Sequence, residues 1–580
     1  MSERLVRNLQ RRLRAESVKS PLPQKIGRPI EVALLYPNGY HLAMSSLGYQ
    51  SVFQQINEDP DFLCERAFLP DRRDFEEHRR TGTPLLTLER QRPVYDFDVV
   101  AFSISYEMDE VNMLTLLDLA GIPLDRRERD SRYPLVVAGG AVVFLNPEPI
   151  SDFIDLFLVG EAEELLPEFL DVLRAFPPRQ SEREMLFDRL QKVPGIYIPS
   201  RYTVTYDDTG RIEQRTPIGG APPKVQRRLV TDIDRRVNAS TVFTEETEFS
   251  DMHLIEIARG CPWGCRFCTA GFIYLPPRYR DEEKILAEAE RAIAAGRKIG
   301  LVGPAISDYP TLDELSRKIL ERGGKLSYSS LRIDSLYPER IGYLKESGQR
   351  TVTVAVEAAS PRLRDVINKG LSDEAILESV TRILDSGTLN LKIYIMIGLP
   401  TEQDDEVAGI VDLTMRIRER LLEAGRKFGR IGRITLSINN FVPKPFTPFQ
   451  WCPLAPLETL KRRKEIILTG LRRVPNLRLN FESPKESYLQ ALLSNGDRRL
   501  GALLRLVHRF EGNFTQALKA WEHDPCFYVH RQRDPDEILP WDFIEHGIEK
   551  RYLFREYLKA LKERTTVPCM IPLCHRCGVC

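Results

Sequence analysis

Three closely spaced cysteines constrain this chain more than any other feature. Cys261, Cys265 and Cys268 follow a C-x3-C-x2-C spacing, and Phe267 directly precedes the third. Cysteine thiolates hold iron–sulfur clusters, and a complete cluster normally takes four of them. Three ligands from one loop therefore leave one iron free to bind something other than protein. Zinc, which usually takes four ligands in two separated pairs, and chance clustering among ten cysteines are the alternatives.

This spacing resembles the signature of the radical S-adenosylmethionine (SAM) enzymes, in which an aromatic residue also precedes the last cysteine. The resemblance implies that the three cysteines are the catalytic cluster ligands and that SAM binds the fourth iron through its amino and carboxylate groups. It also implies that one electron, supplied by a flavodoxin- or ferredoxin-type donor, cleaves the sulfonium and yields a 5′-deoxyadenosyl radical. The cofactor carries this chemistry, while the protein binds, orients and shields it.

The composition fits a multidomain protein without a membrane span. A length of 580 residues suggests about three to four domains. Lys plus Arg equals Asp plus Glu at 83 each, so no global charge requires a nucleic acid or an anionic membrane as partner. Residues 1–28 are basic but lack an apolar core, which predicts an amphipathic helix and no secretory signal. Clustered cysteines without such a signal predict a cytoplasmic protein whose cysteines bind metal.

Apolar strands alternate with helices in residues 29–175, which predicts an α/β domain with a doubly wound parallel sheet. Ligands of such sheets bind at the carboxyl ends of the strands. The candidate cofactor-binding residues at those ends are Ser103, Ser105, Gly139, Gly140, Gly160 and Glu161.

The Gly139-Gly140 pair and the Val-Gly-Glu-Ala-Glu run at 159–163 resemble the cobalamin-binding domain fused to many radical enzymes. The resemblance implies a flavodoxin-like fold and a cobalamin cofactor; the alternative is a purely structural domain. The usual cobalt-ligating motif is Asp-x-His-x-x-Gly, and here His41 lacks both the Asp and the Gly. We therefore expect His41 to be a loop or capping residue. Some members of the group bind the corrinoid without a histidine below cobalt, so the departure does not exclude cobalamin.

A connecting segment, residues 176–250, precedes six further strands that alternate with helices in residues 251–475. This order suits the partial (β/α)6 barrel of the radical SAM enzymes, in which chemistry takes place at the carboxyl ends of the strands. The resemblance places SAM contacts at those ends, and Arg332 suits a carboxylate because its guanidinium is a planar fork. The candidates are Gly303, Pro304, Ser329, Ser330, Arg332, Glu357, Met396 and Gly398, with Phe267 beside the cluster.

Residues 476–580 are predicted to form a helical region that ends in a second group of cysteines. Cys569, Cys574, Cys577 and Cys580 supply four thiolates within twelve residues. Four close thiolates suit an auxiliary iron–sulfur cluster or a structural zinc. A free tail is the remaining alternative.

These features predict a cytoplasmic radical SAM enzyme, and cobalamin-dependent methylation of an unactivated carbon is the favoured reaction. The substrate would be RNA or protein, with a small metabolite as the lesser option. The segment 441–451 resembles the methylthiotransferase-like branch of the family, so methylthiolation or sulfur insertion with the tail cluster as sulfur donor is an alternative. A non-catalytic iron–sulfur scaffold that binds RNA is a third possibility.

Overall fold

A computed structural model describes residues 1–19, 25, 27–329, 331–571 and 573–580. Ser330 and Pro572 therefore lie outside the described residues. No helix in these ranges is long and apolar enough to cross a membrane.

Residues 1–250 are built around one sheet. Their strands are β1 (Ser17–Val18), β2 (Ile30–Tyr36), β3 (Phe62–Phe68), β4 (Val99–Ser103), β5 (Leu135–Gly139), β6 (Leu156–Leu158), β7 (Ile196–Tyr197), β8 (Tyr202–Tyr206), β9 (Ile212–Pro217), β10 (Val225–Gln226) and β11 (Val242–Phe243). Their helices are α1 (Glu3–Arg14), α2 (Tyr40–Met44), α3 (Leu47–Glu58), α4 (Arg72–Thr81), α5 (Asp109–Leu119), α6 (Ala141–Leu145), α7 (Ala162–Ala175) and α8 (Arg183–Leu190).

The sheet has six strands in the order β3-β2-β4-β5-β6-β7. The first five are parallel to one another, and β7 is antiparallel to β6. This confirms the predicted α/β fold with a parallel sheet. Strand β3 is missing from the sequence prediction because Glu65 and Arg66 interrupt its apolar pattern. Both side chains are buried, and Arg66 forms ion pairs with Glu16 at 2.6 Å and with Glu89 at 2.7 Å.

The second half of the chain contains two further parallel sheets. Its strands are β12 (His253–Glu256), β13 (Ala258–Arg259), β14 (Arg278–Tyr279), β15 (Ile299–Val302), β16 (Leu326–Tyr328), β17 (Thr351–Glu357), β18 (Asn390–Ile397), β19 (Arg433–Asn440) and β20 (Leu477–Phe481). Its helices are α9 (Glu282–Ala294), α10 (Leu312–Glu321), α11 (Pro338–Glu346), α12 (Pro361–Val366), α13 (Asp373–Asp385), α14 (Asp404–Phe428) and α15 (Leu457–Leu471).

The strands pair in the orders β12-β15-β16 and β17-β18-β19-β20, and every pairing is parallel. Across the described residues these two sheets do not close into a barrel, as expected for a partial barrel. Strand β20 is a seventh strand, in a region predicted to be helical, so that prediction was wrong at residues 477–481. Leu477, Leu479 and Phe481 alternate with exposed polar residues there, which is the period of a strand.

The C-terminal region consists of α16 (Pro484–Asn495), α17 (Leu500–Arg509), α18 (Phe514–Ala520), α19 (Cys526–Val529), β21 (Ile544–Glu545) and α20 (Lys550–Leu561). Helices α16 and α17 pack on the first sheet: Leu492 and Leu504 lie in the same buried cluster as Val136 and Met113. Strand β21 pairs with β10. The chain therefore returns to its first domain before its last residues reach the cysteine loop.

Candidate active site at the cysteine loop

The cysteine loop follows β13 and is held in a tight conformation. Gly260 has a φ of 83°, and a Cβ at that position would lie 2.4 Å from the carbonyl oxygen of Tyr274, so only glycine fits there. Cys265 is buried, and Cys261 and Cys268 are partly buried. Burial raises the pKa of Cys261 to about 12 and that of Cys268 to about 11. Iron, which binds the thiolate, would supply the positive charge that these buried groups need in order to ionise.

Lys369 brings a buried positive charge to this loop. Its ammonium lies 3.4 Å from the carboxylate of Glu357, the residue that ends β17. Burial acts to lower the pKa of Lys369, but Glu357 and Cys265 raise it overall, so the side chain is protonated. Burial raises the pKa of Cys265, and Lys369 and Arg332 oppose that rise. The sequence prediction did not include Lys369 among the site residues, although Asn368, with a φ of 57°, marks a tight turn beside it.

Arg332 lies beside the cysteine loop, but its guanidinium already has partners. It stacks 3.5 Å from the ring centroid of Trp263 and pairs with Asp334 at 2.8 Å. The Trp263 indole donates a hydrogen bond to Asp308 at 2.9 Å. Arg332 therefore fixes the position of the loop's tryptophan and contributes positive charge near Cys265.

The other predicted site residues have three different surroundings. Ser329 lies near Gly303, with its Oγ 3.4 Å from both the backbone nitrogen and the carbonyl oxygen of Gly303. Phe267 and Met396 pack against one apolar cluster. Gly398 has a structural role: its N–H donates to Glu402 at 2.6 Å, and a Cβ would lie 2.8 Å from a Leu460 methyl group.

A single cavity of about 430 Å³ joins the carboxyl edge of the first sheet to the first strands of the partial barrel. From the first sheet it is lined by all six predicted residues, Ser103, Ser105, Gly139, Gly140, Gly160 and Glu161. From the barrel side it is lined by Ala258, Arg259, Gly303 and Pro304. The cavity continues between the sheet and helices α3 and α7, where its walls are apolar. Its volume lies in the range of small-molecule and cofactor sites.

Comparison with known families decides the class of this site. Residues 255–414 match the radical SAM superfamily, and residues 48–199 match the N-terminal domain of radical SAM proteins. The cysteine loop at the end of the first barrel strand lies in the first of these ranges. The chain is a radical SAM enzyme.

Several known proteins are similar to this radical SAM enzyme. An uncharacterized protein of Methanocaldococcus jannaschii is 26% identical, and the alignment covers 85% of this chain and 94% of that protein. The ribosomal protein uS12 methylthiotransferase of a Synechococcus species is 21% identical, and the alignment covers 75% of this chain and 85% of that protein. Among solved structures, one of the radical SAM methyltransferase TsrM of Kitasatospora setae has tryptophan and a SAM analog bound. Its TM-score is 0.46 at 16% identity, and the match covers 70% of this chain and 72% of that chain. The cobalamin-dependent radical enzyme OxsB has a TM-score of 0.45 at 13% identity, with 92% and 79% covered.

Glu161 links the N-terminal domain of the radical SAM enzyme to the partial barrel, next to the start of the cysteine loop. Its carboxylate accepts two hydrogen bonds of 2.8 Å from Arg278 and one of 2.7 Å from the N–H of Val230. Arg259, two residues before Cys261, lies 3.2 Å away and also pairs with Glu163 at 2.8 Å. Glu161 thus lines the cavity while its oxygens are bound to arginines, and sequence reasoning did not predict this ionic link between the domains.

His41 lies outside the cavity. Half of its side chain is exposed, on the short helix α2, and its Nδ1 is 3.6 Å from a carboxylate oxygen of Glu248. The residues that line the cavity on this side of the sheet come instead from α3, including Gly48 and Tyr49.

The four tail cysteines come together beside the cysteine loop. Burial and the nearby thiols of Cys574, Cys577 and Cys580 raise the pKa of Cys569 to about 12. Arg576 places its Nε 3.2 Å from the sulfur of Cys574.

Across the described ranges, no three His, Cys, Asp or Glu side chains converge closely enough to hold one metal ion. Both cysteine groups consist of thiols, which are the preferred donors of iron–sulfur clusters. Cys261, Cys265 and Cys268 provide three such donors beside Lys369, whose positive charge suits an anionic cluster.

Proposed function

We propose that this radical SAM enzyme is a cobalamin-dependent methyltransferase that acts on an unactivated carbon. The observation that carries the proposal is the single cavity shared by the first sheet and the barrel. The residues at the sheet edge that would hold a corrinoid and the strand-end residues Gly303 and Pro304 line the same space. A methyl group held at the sheet edge would therefore face the place where the substrate radical forms.

The residues of the cavity fit a corrinoid in two ways. Gly139, Gly140 and Gly160 line the cavity, so the sheet edge presents main-chain atoms to a flat macrocycle there. Gly140 has a φ of 108°, and a Cβ there would lie 2.4 Å from the carbonyl oxygen of Ile104, so a larger residue is excluded. The apolar walls between the sheet and α7, which include Leu166 and Phe169, suit the uncharged parts of such a ligand.

Bound cobalamin would supply the methyl group, taken from a second SAM molecule. The overall reaction replaces one C–H hydrogen with methyl and consumes two SAM molecules and two electrons. Its other products are methionine, 5′-deoxyadenosine and S-adenosylhomocysteine. The chain's own contribution is to hold SAM at the strand ends, to balance charge with Lys369, and to keep water out between the two domains.

The proposal is tested by filling the cavity. Ala101 lies in β4 and lines the cavity, whereas Ala294 is exposed at the end of α9. After anaerobic reconstitution with hydroxocobalamin, the Ala101→Trp variant should lose bound cobalt and the visible corrinoid spectrum, while Ala294→Trp keeps both. Both variants should still cleave SAM to 5′-deoxyadenosine when dithionite is the reductant.

A wild-type protein that binds no cobalt under these conditions would contradict the proposal. In that case methylthiolation is the second candidate, since a methylthiotransferase is among the similar proteins. Mass spectrometry of the product from methyl-labelled SAM separates the two reactions, because one adds a methyl group and the other adds sulfur as well.

A further inference from the structure

The cysteine tail is attached directly to the cysteine loop. The N–H of Cys569 donates to the carbonyl oxygen of Pro262 at 2.8 Å. Asn368 connects the two segments: its amide accepts a hydrogen bond from the N–H of Thr566 at 2.8 Å and donates to the carbonyl oxygens of Trp263 and Gly264 at 3.2 and 3.3 Å. The tail is thus positioned by the same turn that places Lys369 beside Cys265.

Helix α20 supports this attachment from the other side. Arg266 lies inside the cysteine loop and is fully buried; it pairs with Glu556 of α20 at 3.2 Å. Thr566 donates to the same Glu556 carboxylate. The N–H of Glu549 donates to the carbonyl oxygen of Cys577 at 3.0 Å. A free tail would not be held at four places, so the cysteines are built into the site.

We propose that Cys569, Cys574, Cys577 and Cys580 hold a second iron–sulfur cluster that passes electrons to the cluster at Cys261, Cys265 and Cys268. Four thiolates complete the ligand set of such a cluster, which leaves no open iron for SAM. Arg576 offsets part of the negative charge and is itself fixed by the carbonyl oxygens of Val567 and Pro568, at 2.8 and 3.0 Å. This inference rests on the radical SAM chemistry alone and does not depend on methylation.

The electrons balance in three one-electron steps. A low-potential protein donor reduces the tail cluster by one electron, and that electron moves to the cluster at the cysteine loop. The reduced loop cluster then gives the electron to SAM, whose sulfonium C–S bond breaks to yield methionine and the 5′-deoxyadenosyl radical. Both clusters return to their oxidised state, and the donor is oxidised by one electron for each SAM cleaved.

The surface around the tail suits such a donor. Val567, Met570 and Leu573 expose between 63% and 79% of their area, and exposed apolar groups of this kind mark contact surfaces. Helix α20 adds the exposed basic residues Arg551 and Arg555, and Lys562 directly follows it. Exposed basic residues attract an acidic partner, and the attraction weakens with added salt. We therefore assign this surface to an acidic one-electron donor protein of the flavodoxin type.

The experiment compares two reductants on the whole chain after anaerobic reconstitution. Dithionite is small and reduces the loop cluster directly, whereas reduced flavodoxin acts on the tail. In the Cys574→Ser/Cys577→Ser variant, iron should fall by about four per chain, and the flavodoxin-driven rate of 5′-deoxyadenosine formation should fall about tenfold more than the dithionite-driven rate. Cys526→Ser, which changes an exposed cysteine outside both groups, should keep the wild-type ratio of the two rates.

A second measurement uses the wild-type protein and does not depend on how a variant folds. Reduction by flavodoxin should give two cluster signals by electron paramagnetic resonance, and added SAM should shift only one of them. One signal only, a tail that holds zinc instead of iron, or an equal loss of rate with both reductants would overturn the relay. Zinc is decisive because it has no redox chemistry.

Discussion

At the scale of single residues, Lys369 places a positive charge beside the thiols of the cysteine loop. Its ammonium is buried next to Cys265 and Glu357, and the pKa stays raised in spite of burial. A fixed positive charge in a site with little water stabilises nearby anions strongly. A cluster held by Cys265 would be such an anion, so Lys369 is placed to stabilise it.

Replacing Lys369 with Met should therefore reduce reductive SAM cleavage about 100-fold, the usual effect of removing one preorganised electrostatic partner. The rate of 5′-deoxyadenosine formation with dithionite measures the loss, and Lys369→Arg should restore part of it. Lys461→Met removes an exposed lysine and should leave the rate unchanged. If Lys369→Met matches that control, the ammonium has no electrostatic role in the site.

At the scale of elements, the two domains meet through short segments that follow strands. The run 159–163 after β6 reaches Arg259 and Arg278 on β13 and β14. His546, directly after β21, binds the last turn of α6: its Nε2 lies 2.7 Å from the carbonyl oxygen of Phe144. Its ring also packs at 4.2 Å from the ring of Phe446.

Burial, with a smaller contribution from Arg227, lowers the pKa of His546 to about 3. The unfolded chain binds a proton at this residue near its ordinary pKa of about 6.5, whereas the folded chain does not until far lower pH. Folding stability therefore falls as the pH drops below about 6.5. Between pH 7 and pH 5, the wild type should lose about 2 kcal/mol more unfolding free energy than His546→Gln.

Denaturant unfolding at the two pH values measures this difference. Gln can still donate a hydrogen bond to Phe144 but does not titrate. His523→Gln, which changes a partly exposed histidine, should keep the wild-type pH dependence. An identical pH dependence in wild type and His546→Gln would show that His546 binds its proton equally well in the folded and the unfolded chain.

At the scale of the whole molecule, the C-terminal helices complete the core of the N-terminal domain. Leu500, Leu503 and Leu504 of α17 are fully buried and share a cluster with the first sheet and α5. Helix α20 follows these helices in the chain and places the tail beside the cysteine loop. The stability of the first domain therefore depends on the C-terminal helices, whereas Leu553 and Ala560 of α20 lie in separate buried clusters.

Truncation of Leu504 to Ala should cost about 2–5 kcal/mol, the range for a large-to-small change in a packed core. Because the core is shared, the first sheet should unfold together with α17 in one thermal transition. Leu558→Ala, at a position that is 40% exposed, should have little effect. A separate early transition of the C-terminal region in Leu504→Ala would show that the helices and the first sheet unfold independently.

The sequence by itself determined the class of enzyme and most of the strands. The cysteine spacing is a local property, since three ligands from one loop need no other part of the chain to be recognised. The parallel strands were also predictable, because buried strands are continuous apolar runs. Strand β3 escaped prediction because Arg66 is neutralised by Glu16 and Glu89 and Glu65 by Arg90, and only the folded chain brings these partners together.

Only the tertiary structure decided which of the predicted site residues meet. The glycines at the edge of the first sheet lie more than 100 positions before Gly303 of the barrel in the sequence, yet they line one cavity with it. The tail cysteines reach the loop because Asn368 hydrogen-bonds to both segments. Contacts between distant residues depend on how the helices pack between them, and no local pattern in the sequence encodes that packing.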